Sequence, residues 1–143
     1  MKSKLLDGST QKTYALVLDT GDEAMTSLLA FAQKNNITAA HFTGIGAFSR
    51  VALGYYDWEK KEYLRIPVDE QVEVVSLLGD VALEKGQPKI HAHGVVAKRN
   101  GAARAGHLIE GFVRPTLEIV LTESPAHLRR EFDSQSGLAL IKL

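Results

Sequence analysis

Histidines are the residues of this sequence whose types and spacing could do chemistry. Two of the five histidines form His91-Ala92-His93, within a stretch from Ile90 to Ala97 that predicts a β-strand. Side chains two positions apart on a strand project from the same face, so these imidazoles would lie about 7 Å apart at the backbone. They could converge on one metal ion, although paired histidines on a half-buried sheet face also serve in hydrogen bonding or packing.

A third histidine lies beyond a predicted hairpin turn at Asn100-Gly101. A two-residue turn would place His107 opposite Gly94, on the other face of the hairpin from the pair. A three-residue loop over 99–101 would place His107 directly opposite His93, at cross-strand contact distance. The metal hypothesis therefore predicts an odd-length loop or a bulge in this hairpin.

The sequence contains no cysteine, which excludes disulfides, thiolate metal ligands and cysteine nucleophiles. Three neutral imidazoles suit zinc with a fourth position open, although nickel, copper, iron or manganese would accept the same ligand type. Glu73 and Glu110 are candidates to contact the histidine ligands without themselves binding the ion. The sequence singles out no catalytic residue. His41 and His127 are interpreted as a polar strand position and an exposed helix position.

The elements that must position these residues are mostly strands. A strand over Thr13 to Leu18 precedes a capping-box spacing from Thr20 to Glu23, and an amphipathic helix follows that ends near Asn35. Gly79 is predicted to be a bulge or bend, and Pro125 to Phe132 a short helix. The order predicts an α+β fold with a largely antiparallel sheet and one main amphipathic helix. The further strand candidates are Ala39 to Phe48, Val51 to Tyr56, Tyr63 to Pro67, Val72 to Leu83, Ile90 to Ala97, Ala102 to Ile109, Thr116 to Thr122 and Leu138 to Leu143.

Length and charge narrow the class of protein. The 143 residues predict a single domain over 1–143. Lysine plus arginine and aspartate plus glutamate each total 17, and this zero net charge argues against a broad non-specific DNA-binding face. No apolar stretch is long enough for a signal peptide or a membrane span, so we expect a soluble cytoplasmic protein with no membrane partner.

The histidine hairpin also resembles a known family. Ile90 to His93, the turn at Asn100-Gly101 and Ala105 to Gly111 resemble the core signature of the PPC domain, named for "plants and prokaryotes conserved". Gly44 to Ala47, Leu53 to Asp57 and Glu73 to Gly79 are similar too, so that the likeness runs from about Tyr14 to Thr122.

The resemblance implies an α+β fold with an antiparallel sheet and one main helix, assembled as a homotrimer. His91, His93 and His107 match family positions that look like metal ligands in stand-alone bacterial members, and those members are commonly labelled predicted DNA-binding proteins. Plant members carry the domain behind an AT-hook, whose Arg-Gly-Arg-Pro core does not occur in this sequence.

Three interpretations remain open. The chain could be a trimeric binding or regulatory module acting on DNA or on a partner protein. It could instead be a metal-dependent enzyme or a small-ligand-binding protein that uses the three histidines. The third is a cupin, because Gly79-Asp80 ahead of the histidine pair is similar to that family's first metal motif, although the cupin glutamate is missing between Val95 and Asn100.

Overall fold

A computed structural model describes residues 1–7, 11–124 and 127–142. Within them, one helix and nine strands are present, and all nine strands belong to one sheet, which confirms the predicted fold class. The strand pairs are antiparallel except for that between β5 and β8. The elements are β1 Lys2–Asp7, β2 Thr13–Asp19, α1 Ala24–Lys34, β3 Ala39–Asp57, β4 Glu62–Val68, β5 Val72–Glu84, β6 Gln87–Ala97, β7 Ala103–Glu123, β8 Arg129–Asp133 and β9 Leu138–Lys142.

Two strands are longer than the sequence pattern predicts. The candidates Ala39 to Phe48 and Val51 to Tyr56 form the continuous β3. The candidates Ala102 to Ile109 and Thr116 to Thr122 form the continuous β7. Register shifts interrupt the pairing of these two strands at three points. A bulge inserts a residue without ending the ladder, so a break in the alternation of apolar residues does not end a strand.

Four strands close a circuit of backbone pairing. β3 pairs with β5 and with β7, and β6 pairs with both β5 and β7. The helix α1 packs against β6 and β7 and buries Leu28, Phe31 and Ala32. Most of the largest fully buried side chains come from the helix and from the strands of this circuit and of β2, and they include Phe42, Phe48, Leu16, Leu18, Leu53, Leu77, Leu108, Leu117 and Ile119.

The predicted capping box at the start of α1 is wrong. Glu23 itself is the N-cap, and its carboxylate accepts hydrogen bonds from the backbone N–H groups of Met25 and Thr26 at 3.1 and 2.8 Å. The Thr20 hydroxyl instead donates to the carbonyl of Pro115 on β7. The predicted helix end is confirmed, because Asn35 caps the C-terminus.

Gly79 is not a bulge. β5 runs through it without interruption, and the register shift of the β5–β6 pair lies between Val74 and Ser76. A Cβ atom at Gly79 would lie 2.2 Å from the ring of Phe42, so this glycine leaves room for a buried aromatic side chain.

The helix predicted over 125–132 is also wrong where the structure describes it. Arg129–Asp133 form β8, while residues 125 and 126 lie outside the described part of the chain. β8 forms a C-terminal hairpin with β9 and pairs in parallel with β5 through Leu83 and Arg129. Within the described residues, no helix combines the length and apolar character that a membrane crossing requires.

Candidate metal centre

The loop between β6 and β7 has the odd length that the metal hypothesis predicts. Lys98 N donates to Ala102 O at 3.0 Å and closes a three-residue loop over 99–101. Gly101 has a φ of +80°, a conformation that a side chain at this position would disfavour. The hairpin pairs His93 directly with His107, as predicted.

The hairpin brings three imidazoles together on one side of the sheet. Along β6 the side chains of Ile90 and Ala92 are buried, while those of His91 and His93 point outward. The Nε2 atoms of His91 and His93 are 3.2 Å apart. One ring nitrogen from each of His91, His93 and His107 lies within 4.8 Å of the others, and we call these residues the His cluster.

The donor set and its spacing fit a divalent metal. Zinc binds imidazole nitrogen at about 2.0–2.1 Å, so two nitrogens of a tetrahedral zinc lie roughly 3.3 Å apart. The 3.2 Å between the Nε2 atoms of His91 and His93 agrees with this value. The Nδ1 atom of His107 is buried and has no hydrogen-bond partner among the described residues, which leaves one imidazole nitrogen of the cluster without a protein partner.

The protonation states of the cluster favour metal binding. Burial, followed by the nearby charges of His91, His93 and Lys89, lowers the pKa of His107 to about 4. Burial and then His91 also lower the pKa of His93. Neutral imidazole is the form that binds metals, so at least His107 presents a ligand at neutral pH without first losing a proton.

Two neighbours hold His107 in place. The ring of Tyr63 stacks on the imidazole, with centroids 4.5 Å apart and an interplanar angle of 26°. A Cβ atom at Gly106 would lie 2.5 Å from the carbonyl oxygen of Gly54, and His107 pairs with Gly54 across the strands. The absence of a side chain at Gly106 therefore lets β7 approach β3 closely enough to support His107.

The carboxylate beside the cluster belongs to Asp80, which sequence reasoning missed. Its Oδ2 lies 3.7 Å from His91 Nδ1, whereas Glu110 pairs with Arg65, and Glu73 is an exposed residue of β5 opposite Ala97. The pairing of β5 with β6 carried a usable signal. A two-residue turn between Glu84 and Gln87 places position 80 opposite position 91, by the same parity that locates His107.

A second residue that the sequence did not indicate is Arg130. Its guanidinium Nη2 lies 2.5 Å from Asp80 Oδ1, and its Nη1 donates to the carbonyl of Ala139 on β9 at 3.2 Å. Burial raises the pKa of Asp80, but the contacts with His91 and Arg130 outweigh it and lower that pKa below its usual value. Asp80 is therefore a carboxylate at neutral pH.

A cavity of about 340 Å³ lies beside the cluster and is lined by His91 and His107. Tyr63 and Lys89 also line it, as do side chains of the C-terminal hairpin, Phe132, Leu138 and Leu140 among them. The remaining histidines lie outside the cluster: His41 is exposed on β3, and His127 Nδ1 is 2.6 Å from the Thr38 hydroxyl.

The sequence profile of the Plants and Prokaryotes Conserved (PCC) domain matches residues 6–125. The chain belongs to this family. The name is also abbreviated PPC, and the resemblance seen in the sequence is thereby confirmed. The C-terminal hairpin of β8 and β9 lies beyond the residues that the profile matches.

Solved structures of PPC proteins have the same fold. A PPC protein from Pyrococcus horikoshii is 34% identical, with a TM-score of 0.86 over 99% of this chain and 95% of that chain. A protein from Archaeoglobus fulgidus described as metal-containing is 33% identical, with a TM-score of 0.86 over the whole of both chains. A protein from Ralstonia eutropha, provisionally described as DNA-binding, is 32% identical, with a TM-score of 0.85 over 91% of this chain and 90% of that chain. No curated protein matches the chain.

Proposed function

We propose that this chain is a PPC-domain binding module that holds one divalent metal ion, preferably zinc, at His91, His93 and His107. The observation that carries the proposal is the convergence of three imidazole nitrogens within 4.8 Å, two of them at the spacing of a zinc site. The relative from Archaeoglobus fulgidus described as metal-containing supports the same interpretation.

The cavity beside the cluster favours a second function that uses the same ion. Three protein ligands leave a fourth position of zinc for water or a small ligand, which the ion would polarise. A cavity of about 340 Å³ next to two of the three histidines gives a small ligand room to reach that position. The module would then be a small-ligand-binding protein or a metal-dependent enzyme. Azide added to cobalt-loaded protein should change the visible absorption if the position is open, and an unchanged spectrum would rule this function out.

Self-association of the module, as the homotrimer that the family resemblance implies, is supported by an exposed apolar sheet face. Ile45, Val75, Leu78 and Val120 are between 47 and 61% exposed, and Thr43 lies between Leu78 and Val120 across three strands. Monomeric proteins rarely leave such contiguous apolar surface in water. The face adjoins the His cluster, because Leu78 also pairs with His93.

Light scattering tests this assembly. Wild-type protein and Trp58→Ser, which changes an exposed aromatic residue away from the apolar face, should both have three times the 15.6 kDa chain mass. Ile45→Asp should reduce the mass toward that of one chain. A wild-type protein of monomeric mass would contradict the trimer.

DNA binding is a weaker candidate for the same module. The relative from Ralstonia eutropha is provisionally described as DNA-binding, but this chain has zero net charge and no Arg-Gly-Arg-Pro core. Titration against mixed-sequence duplex DNA at low salt decides the matter. We expect no binding at micromolar protein, and salt-sensitive binding in that range would establish DNA as a partner.

Metal analysis of untagged protein tests the main proposal. Wild-type protein should carry about one equivalent of metal per chain, as should His127→Ala, which removes a histidine outside the cluster. His107→Ala should carry less than about a tenth of an equivalent. Metal content that is negligible in wild-type protein, even after incubation with zinc, would overturn the proposal. So would content that His107→Ala leaves unchanged.

A further inference from the structure

The C-terminal hairpin places the buried guanidinium of Arg130 at the edge of the His cluster. β8 pairs in parallel with the end of β5 through Leu83–Arg129 and Glu84–Arg130. The side chain of Arg130 is only 7% exposed, whereas that of Arg129 lies in solvent. The hairpin lies outside the residues that the family profile matches.

Arg130, Asp80 and His91 form a chain of contacts that ends at the cluster. The guanidinium of Arg130 contacts one oxygen of Asp80 at 2.5 Å, and the other oxygen of Asp80 faces His91 Nδ1 at 3.7 Å. On the far side of the ring, His91 Nε2 faces His93 Nε2 at 3.2 Å. A second hydrogen bond, from Arg130 to the Ala139 carbonyl, fixes the guanidinium to β9.

This arrangement favours one nitrogen of His91 as the free one. At 3.7 Å from Nδ1, Asp80 Oδ2 lies beyond hydrogen-bond distance, but its negative charge favours the tautomer of His91 whose proton is on Nδ1. The lone pair then lies on Nε2, which points toward the other histidines. Partners of this kind fix the orientation of metal-binding histidines and raise their basicity.

The guanidinium of Arg130 makes its contacts through its two terminal nitrogens. Nη2 contacts Asp80 and Nη1 donates to the Ala139 carbonyl, whereas the buried Nε atom makes no hydrogen bond within the described part of the chain. A buried donor without a partner destabilises a fold, so the pairing with Asp80 is a main compensating contact of this side chain.

We infer that Arg130 and Asp80 are positioning residues for His91, and that the C-terminal hairpin thereby sets the metal affinity of the His cluster. The inference rests on the proposed metal site. It assigns a role to a part of the chain beyond the residues that the family profile matches, and to two residues that do not themselves bind the ion.

Zinc affinity measured by competition with a chromophoric chelator tests the inference. Asp80→Asn and Arg130→Gln should each raise the zinc Kd by about 10- to 100-fold, as removal of such partners generally does. Arg130→Lys, which keeps the charge, should have a smaller effect. Arg129→Gln, the neighbouring exposed position, should stay within about twofold of wild type.

The double variant Asp80→Asn/Arg130→Gln guards against misfolding, because it removes both buried charges together. If the two residues act through one contact chain, it should lose no more affinity than either single variant. Affinities of folded Asp80→Asn and of the double variant within twofold of wild type would overturn the inference.

Nitrogen NMR of the metal-free proteins separates this inference from the proposed function. In wild-type protein the neutral His91 ring should carry its proton on Nδ1, and Asp80→Asn and the double variant should lose that preference. If wild-type protein binds no zinc, the proposed function fails, but the NMR result still decides whether Asp80 and Arg130 position the ring. The same tautomer in every variant would overturn the positioning role.

Discussion

The two hairpins that meet at the His cluster, β6–β7 and β8–β9, are positioned in different ways. The register of the first depends on a three-residue loop and on pairing with β5 and β3 on its two sides. The second is joined to the sheet by a short parallel pairing with β5 and by the contacts of Arg130. The first hairpin carries all three histidines. The second carries Arg130, which contacts Asp80 of β5, the carboxylate that faces His91.

The comparison indicates that the placement of the three histidines and the surroundings of His91 depend on different parts of the chain. Strand parity and loop length place His93 opposite His107, and both are local properties of one hairpin. The contact between Arg130 and Asp80 requires two strands that are distant in the sequence to meet in parallel. If the proposed metal site is right, loss of a histidine from the first hairpin should therefore abolish zinc binding, whereas loss of Arg130 from the second should weaken it.

The largest expected effect comes from removing a ligand of the first hairpin. His93→Ala should raise the zinc Kd by at least about 1,000-fold, because two imidazoles seldom hold zinc against competing chelators. The measurement is chelator competition, with His41→Ala as a control that changes a histidine outside the cluster. Equal losses in the two variants would break the distinction between the cluster and the other histidines.

The packing of β7 against β3 next to His107 should be sensitive to one methyl group added at Gly106. A Cβ atom at Gly106 would lie 2.5 Å from the backbone oxygen of Gly54, whereas one at the paired Gly94 would meet nothing closer than 3.8 Å. Gly106→Ala should lower the free energy of unfolding by about 2–3 kcal/mol, since the backbones must move apart. Gly94→Ala should change it by less than about 1 kcal/mol. Urea unfolding measures both, and equal effects would contradict this packing account.

The two hairpins should also differ in local stability. β6 pairs with β5 along its whole length and with β7 over residues 93–97, and β7 pairs with β3 from His107 onward, while β8 has only its pairing with β9 and two residues against β5. Amide hydrogens of β8 and β9 should exchange at least about tenfold faster than those of β6 and β7, because sparsely paired segments open locally. Equal protection in hydrogen-exchange NMR would show that the hairpins open as one unit.

The smallest expected effect is a pH dependence of the metal-free protein. The folded pKa of His107 is about 4, below the value of about 6.5 for an unfolded chain, so the unfolded state binds more protons between these values. This contribution to stability is complete above about pH 6.5 and is lost as the pH falls toward 4. In urea unfolding with a chelator present, wild-type protein should lose roughly 1 kcal/mol more than His107→Gln over this range, because the site is partly solvated. Identical pH dependence would contradict a buried neutral His107.

Much of the fold and the convergence of the three histidines could be predicted from the sequence because the signals are local. The alternation of Ile90 and Ala92 with the two histidines indicates β6, and Gly101 indicates the loop that aligns His93 with His107. The capping box failed because Thr20 has a better partner on β7, which is distant in the sequence.

Arg130 could not be predicted for a similar reason. Its segment has a helical composition, but the parallel pairing of β8 with β5 overrides that local preference. Asp80 was within reach, because the turn between Glu84 and Gln87 places it opposite His91. The residue pattern of the sequence does not mark that turn as part of the site.

Anomalous diffraction at the zinc edge, from crystals grown with one equivalent of zinc per chain, tests the central claim most directly. We predict one strong peak per chain, at about 2.0–2.1 Å from a ring nitrogen of each of His91, His93 and His107. A map with no peak at the cluster, or with its strongest peak at His41 or His127, would contradict the account.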